Sequence, residues 1–101
     1  MVGKINQGAD FNFFRKVTVN TPNFPNEANI IFDIKYQVSF SLVNEGNDIV
    51  EYSFNGNVLH GDLTPGTSTG AIFFDNRRVS FIWFRARTPG QIVRVEAWSQ
   101  M

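Results

Sequence analysis

The segment IIFDIKYQVSFSLV, residues 30–43, restricts the fold more than any other stretch of the chain. Ile30, Phe32, Ile34, Tyr36, Val38, Phe40 and Leu42 alternate with Asp33, Lys35, Gln37, Ser39 and Ser41. An apolar residue at every second position sends one side of an extended chain into a core and the other into water. Fully extended, residues 30–42 would span about 43 Å at ~3.3 Å per residue, whereas an ordinary strand holds about 5–6 residues. The run therefore predicts a bulge or bend that lets one segment serve two sheets. Phe32, Ile34, Tyr36, Val38 and Phe40 are expected to be buried on one face.

Other segments repeat the pattern. FNFFRKVTVN (11–20) reads as a first strand, and NTPNFPNEAN (20–29), with Pro22 and Pro25, as a loop. DIVEYSF and NVLHGDL flank Asn55-Gly56, a strong short hairpin signal. LTPGTSTG (63–70) is a turn, AIFFD a strand, and NRR a polar turn. VSFIWFRAR and QIVRVEAW read as a second hairpin across TPG. No stretch has helical periodicity. Seven or eight short strands in 101 residues predict an all-β fold, an antiparallel β-sandwich of jelly-roll or Ig-like type, with a small closed barrel as the alternative. The chain is long enough for a single sandwich domain over 1–101, with residues 1–10 read as a flexible or docking arm.

Composition narrows the function classes. Nine basic and nine acidic side chains cancel, which argues against a nucleic-acid binder. The absence of cysteine excludes disulfides and thiolate metal sites. MVGKINQGAD carries no apolar stretch of the secretory kind, and no run approaches the roughly 20 residues of a membrane helix. A soluble protein made in a cytoplasm, with no membrane partner, is the expectation.

His60, the sole histidine, stands two residues before Asp62. A two-residue turn at Asn55-Gly56 places Tyr52 opposite Leu59 and Glu51 opposite His60, a modest cross-strand pair. Catalysis requires a nucleophile and an oxyanion donor beside such a base, and a metal wants about three protein ligands. The structural reading of His60 is the stronger, and no catalytic, metal or cofactor residue is assigned. Gly66 and Gly70 lack the Lys-Ser/Thr that would follow in a phosphate-binding loop.

The last two strands carry more information. Paired as a hairpin, they set Arg85 opposite Arg94, Trp83 opposite Glu96 and Phe81 opposite Trp98. One face then holds Ile82, Phe84, Val93, Val95 and Ala97 without a charge and must be core. The other mixes Phe81, Trp83, Ile92 and Trp98 with Arg85, Arg94 and Glu96, the composition of an interface centre. Cover by a loop or by the N-terminal segment is the competing account of those rings. Phe24, between two prolines, is either an anchor on a partner or tucked onto its own sandwich. The expected interface is Phe24, Phe81, Trp83, Arg85, Arg94 and Trp98.

The motifs YSFNG (Tyr52–Gly56), HGD (His60–Asp62), FDNR (Phe74–Arg77), IWFR (Ile82–Arg85) and VRVEAW (Val93–Trp98) give residues 51–98 a pattern that resembles small virion structural proteins of tailed bacteriophages. The resemblance implies a non-enzymatic protein of the virion, made in the host cytoplasm. It implies a capsid decoration protein or a head–tail or tail accessory, whose partners are capsid or tail proteins and copies of itself. It transfers no site residue. The rival expectation is a carbohydrate-binding β-sandwich module that stacks sugar rings on Trp83 or Trp98.

Overall fold

The structure, a computed structural model, describes residues 11–32, 38–66 and 71–99. The expectations for residues 1–10, for Ile34 and Tyr36, for the Val38 side chain and for residues 67–70 lie outside the described residues. The described chain forms eight strands and no helix: β1 (Phe11–Val19), β2 (Ile30–Ile31), β3 (Val38–Asn44), β4 (Val50–Ser53), β5 (Gly61–Leu63), β6 (Ala71–Arg77), β7 (Phe81–Ala86) and β8 (Gln91–Ser99).

They build two four-stranded antiparallel sheets, in the orders β1-β8-β3-β6 and β2-β7-β4-β5. The outermost strands of the sequence pair first, β1 with β8, then β2 with β7, β3 with β6, and β4 with β5. The topology is that of one long antiparallel hairpin rolled up until its halves face each other, the jelly-roll order. The fold is therefore an open β-sandwich. The barrel alternative is set aside, as is the Ig-like one, whose sheets are ordered differently.

The long alternating run behaves as its length demands. Ile30–Ile31 joins one sheet and Val38–Asn44 the other, and the β3–β6 register shifts between Val38 and Phe40. Phe32 and Phe40 are buried, as expected. Between the sheets lie Ile30, Val50, Ile82 and Phe84 from one side and Phe40, Leu42, Val93 and Val95 from the other, all fully buried. Phe40 stacks on Phe74 at 4.8 Å between ring centroids, and Phe13 meets Phe32 edge-on at 5.1 Å. At the sheet edge, Arg15 falls on the same side of β1 as Phe13 and Val17, with its guanidinium 5.2 Å from the Phe13 ring. A charge on the core-side row of an edge strand discourages further strands from pairing there.

The second predicted hairpin does not exist. β7 and β8 belong to different sheets. Residues 87–90 carry the chain across, because the Gly90 N–H donates to the Val19 carbonyl (3.0 Å) and to Asn20 Oδ1 (2.9 Å). Gly90 adopts φ 85°, a left-handed conformation that glycine takes freely. Those bonds start β8 along β1, and β7 takes β2 and β4 as neighbours instead.

Two buried amides lock the turn between β3 and β4. Asn44 Nδ2 donates to the Asp48 and Leu63 carbonyls at 2.8 and 2.9 Å, and its Oδ1 accepts the Gly46 N–H at 2.8 Å. Gln91 Oε1 accepts the Asn47 and Asp48 N–H groups at 2.7 and 2.9 Å. Leu63 lies in the opposite sheet, so Asn44 ties the two layers together directly. Asn44→Ala leaves buried donors and acceptors unmatched and is expected to lower stability by about 2–4 kcal/mol in urea unfolding. A change within about 0.5 kcal/mol would show that water replaces the amide there.

Candidate functional site

The chemistry-bearing side chains lie on the two outer faces of the sandwich, which point away from each other. The β2-β7-β4-β5 sheet presents Ile31, Phe81, Trp83, Arg85, Glu51 and Asp62. Ile31 is the cross-strand partner of Phe81, and the Phe81 and Trp83 rings are 5.8 Å apart. Beside them the loop at Asn26–Ala28 closes one wall of a groove of about 410 Å³, lined otherwise by Ile31, Phe81 and Trp83. Ile31 and Phe81 remain 55% and 44% exposed. Trp83 is half-buried, because the loop after β4 passes over it: a Cβ on Gly56 would come within 2.9 Å of the indole.

Arg85 is fixed from two sides. Its Nε donates to Glu51 Oε1 at 2.6 Å, and its guanidinium lies 4.3 Å from the centre of the Phe24 ring. Glu51 is its cross-strand partner. Phe24 thus packs back on its own sandwich through a cation–π contact. Arg85, Glu51 and Asp62 also line a second cavity, of about 380 Å³, with Pro22, Ile49, Ala86 and Arg87.

The β1-β8-β3-β6 sheet presents Phe14, Phe73, Ile92 and Trp98 among polar side chains. Phe73 and Trp98 stack at 5.7 Å with 26° between their planes. Arg94 Nη1 donates to Glu45 Oε2 at 2.8 Å, Lys16 Nζ is 3.3 Å from Glu45 Oε1, and Arg94 Nε is 3.1 Å from Glu96 Oε2. These four charges balance one another. Ser39 donates to Asp75 Oδ1 at 2.8 Å on the same side.

The structure thus divides the expected interface. Phe24, Phe81, Trp83 and Arg85 share one outer face, and Arg94 and Trp98 share the other. Arg85 and Arg94 are not opposed; each has its own carboxylate. Phe14 and Phe73, missed in the sequence, are the most exposed rings of the second face. Their signal was present in FNFF and IFFD: adjacent phenylalanines on a strand must point to opposite sides.

The first hairpin forms with its register moved by two. Glu51 pairs with Asp62 and Tyr52 with Gly61, so Glu51 does not face His60. The connection is a seven-residue loop, 54–60, because side chains organise it. Ser53 Oγ accepts the Asn55 and Gly56 N–H groups at 3.2 and 2.9 Å, and Asn55 Oδ1 accepts those of Asn57 and Val58 at 2.9 Å each. His60 closes the loop, its Nδ1 accepting the Phe54 N–H at 3.0 Å while its ring lies 5.2 Å from the Phe54 ring. A shift of two keeps Tyr52 on the core side. Gly61 leaves room for the Tyr52 hydroxyl, which a Cβ would approach within 2.3 Å. Burial, and then the Asp62 charge, push the Tyr52 phenol above its ordinary pKa. Among the described residues, no three His, Asp or Glu side chains converge as a metal site.

No family model matches this sequence, and none of the curated proteins or solved structures is significantly similar to it. The functional reading therefore rests on the geometry and on the motif pattern of residues 51–98.

Two substitutions test the loop. Gly56 has φ 81°, so Gly56→Ala is expected to cost about 1–3 kcal/mol through strain and to lift the loop from Trp83. A red-shifted, more readily quenched tryptophan emission checks this. His60→Ala is expected to cost about 1 kcal/mol, the worth of one hydrogen bond and a ring contact. Unchanged amide exchange at Phe54 would refute the role given to His60.

Proposed function

We propose that the chain is a non-enzymatic structural protein of a virion, binding the capsid or tail surface of a tailed bacteriophage and copies of itself through protein–protein contacts. The observation that carries this reading is the exposed aromatic cluster on each outer face. Monomers rarely leave such patches in water, and aromatic rings rimmed by arginine are what interface centres contain. The groove at Ile31, Phe81 and Trp83 suits an apolar side chain of a partner, and Arg85, held by Glu51, follows Trp83 on the same outer face.

Two further considerations support the reading. Residues 51–98 resemble small phage virion proteins, and jelly rolls recur in viral capsid domains. They recur equally in lectins, and a fold does not fix a function. No nucleic acid, membrane or cofactor enters the proposal, which places the protein in the virion after synthesis in the host cytoplasm. The carbohydrate-binding alternative rests on one observation, the open Phe73–Trp98 stack beside Ser39, Asp75 and Glu96.

Ile31 and Phe81 are exposed enough to change without harming the core. The double variant Ile31→Ser, Phe81→Ser is expected to keep the wild-type melting temperature and to lose co-sedimentation with phage particles that lack the chain. Co-sedimentation retained by the variant, or absent in the wild type, overturns the proposal. Saturable binding of soluble glucan, abolished by Trp98→Ala, would select the sugar reading instead.

A further inference from the structure

We infer that the outer face of β1-β8-β3-β6 pairs with the same face of a second copy, about a two-fold axis that runs parallel to the strands between β8 and β3. The inference rests on the reading of the chain as an assembly protein and names the occupant of its second face. The argument comes from the cross-strand register.

One row across this sheet reads Phe14, Glu96, Ser41, Phe73. The next reads Lys16, Arg94, Val43, Ala71. A two-fold axis along the strands exchanges the sheet's left and right halves, so β1 of one copy lies over β6 of the other and β8 over β3. Phe14 then meets Phe73, twice. Glu96 meets Ser41, and Lys16 and Arg94 meet Ala71 and Val43. No charge faces its like. The perpendicular axis in the same plane lays β1 on β1 and sets either Glu96 against Glu96 or, placed between the two rows, Glu96 against Arg94 but Phe14 against Lys16 and Phe73 against Ala71, so that neither ring meets a ring. The pattern of residues therefore selects one axis.

Four further properties favour a second copy. The face neutralises itself, since Lys16 and Arg94 are already paired with Glu45 and Glu96. It offers 63% of Phe14, 55% of Phe73 and 36% of Trp98 to solvent. Four strands at ~4.8 Å spacing, seven to nine residues long, cover about 500 Å². Two copies would remove about 1,000 Å², the size at which a specific interface begins. A hollow of about 330 Å³ between Phe14, Glu96 and Trp98 lies where the partner's Phe73 arrives.

Solution mass, measured by light scattering without any particle present, tests this apart from the particle-binding proposal. The wild type is expected to dimerise with rising concentration. Phe14→Lys and Phe73→Glu are each expected to remain monomeric with unchanged circular dichroism. Mixed together they should dimerise again, because one Lys–Glu and one Phe–Phe contact then form. A wild type monomeric throughout, single variants that dimerise as before, or a mixture that stays monomeric each overturns the inference. So does a monomer whose Trp98 emission is quenched by soluble glucan, which assigns the face to sugar. Should a charged variant fail to fold, Phe14→Cys combined with Phe73→Cys replaces it. The two positions are about 14 Å apart within one sheet and about 10 Å apart across two face-packed sheets, so a bifunctional thiol reagent that reaches about 10 Å bridges two copies and not one chain. Treatment must then yield a cross-linked dimer; a product that stays monomeric refutes the pairing.

Discussion

The contact between the two inner faces is what the rest of the molecule depends on. Neither four-stranded sheet, apolar on one side, has a reason to persist in water until it covers the other. Ile30, Val50, Ile82 and Phe84 meet Phe40, Leu42, Val93 and Val95 with essentially no exposure. Packed sheets lie about 10 Å apart, and that slab fixes everything outside it. The two aromatic clusters are mounted on opposite sides of a filled core, so no single small ligand touches both. Each has to be understood as a separate surface.

The buried amides work differently from the core. Asn44 and Gln91 are as buried as the aliphatic residues around them, yet every bond they make goes to backbone of, or a side chain in, the turn at 45–48 or to Leu63. An apolar slab tolerates sliding; a set of directed bonds does not. These two residues set the offset at which one sheet lies on the other, and with it the positions of the rows on both outer faces.

The sequence announced most strands and both sides of each, because alternation is a local property. Ile82, Phe84, Val93, Val95 and Ala97 are buried as the alternation required. Partnership was less legible. In a rolled hairpin only β4 and β5 are neighbours both in the chain and in a sheet, so inferring pairing from proximity succeeds there and fails for β7 and β8. The Glu51–Arg85 bond spans 34 residues, and nothing in the local sequence of either residue indicates the other. The hairpin register failed for a different reason. Asn55-Gly56 does turn the chain, but Ser53, Asn55 and His60 divert it into a longer loop through side-chain bonds. Phe14 and Phe73 are legible by the same rule: the paired phenylalanines at 13–14 and 73–74 assign one ring of each pair to water.

The β1–β8 pairing has a kinetic meaning as well. Phe11 is matched with Ser99 and Val19 with Gln91, so this ladder joins the ends of the described chain and is rich in contacts of the greatest sequence separation. Such contacts slow folding, because the loop must be closed before they contribute anything. A ribosome delivers β1 first and β8 last. During that interval a nine-residue strand with the sequence FNFFRKVTV waits without its partner. Arg15 and Lys16, in its middle, interrupt an otherwise aggregation-prone segment in the way gatekeeper charges do. Beyond their contacts in the folded sheet, they serve the unfinished chain during the seconds before the final strand arrives.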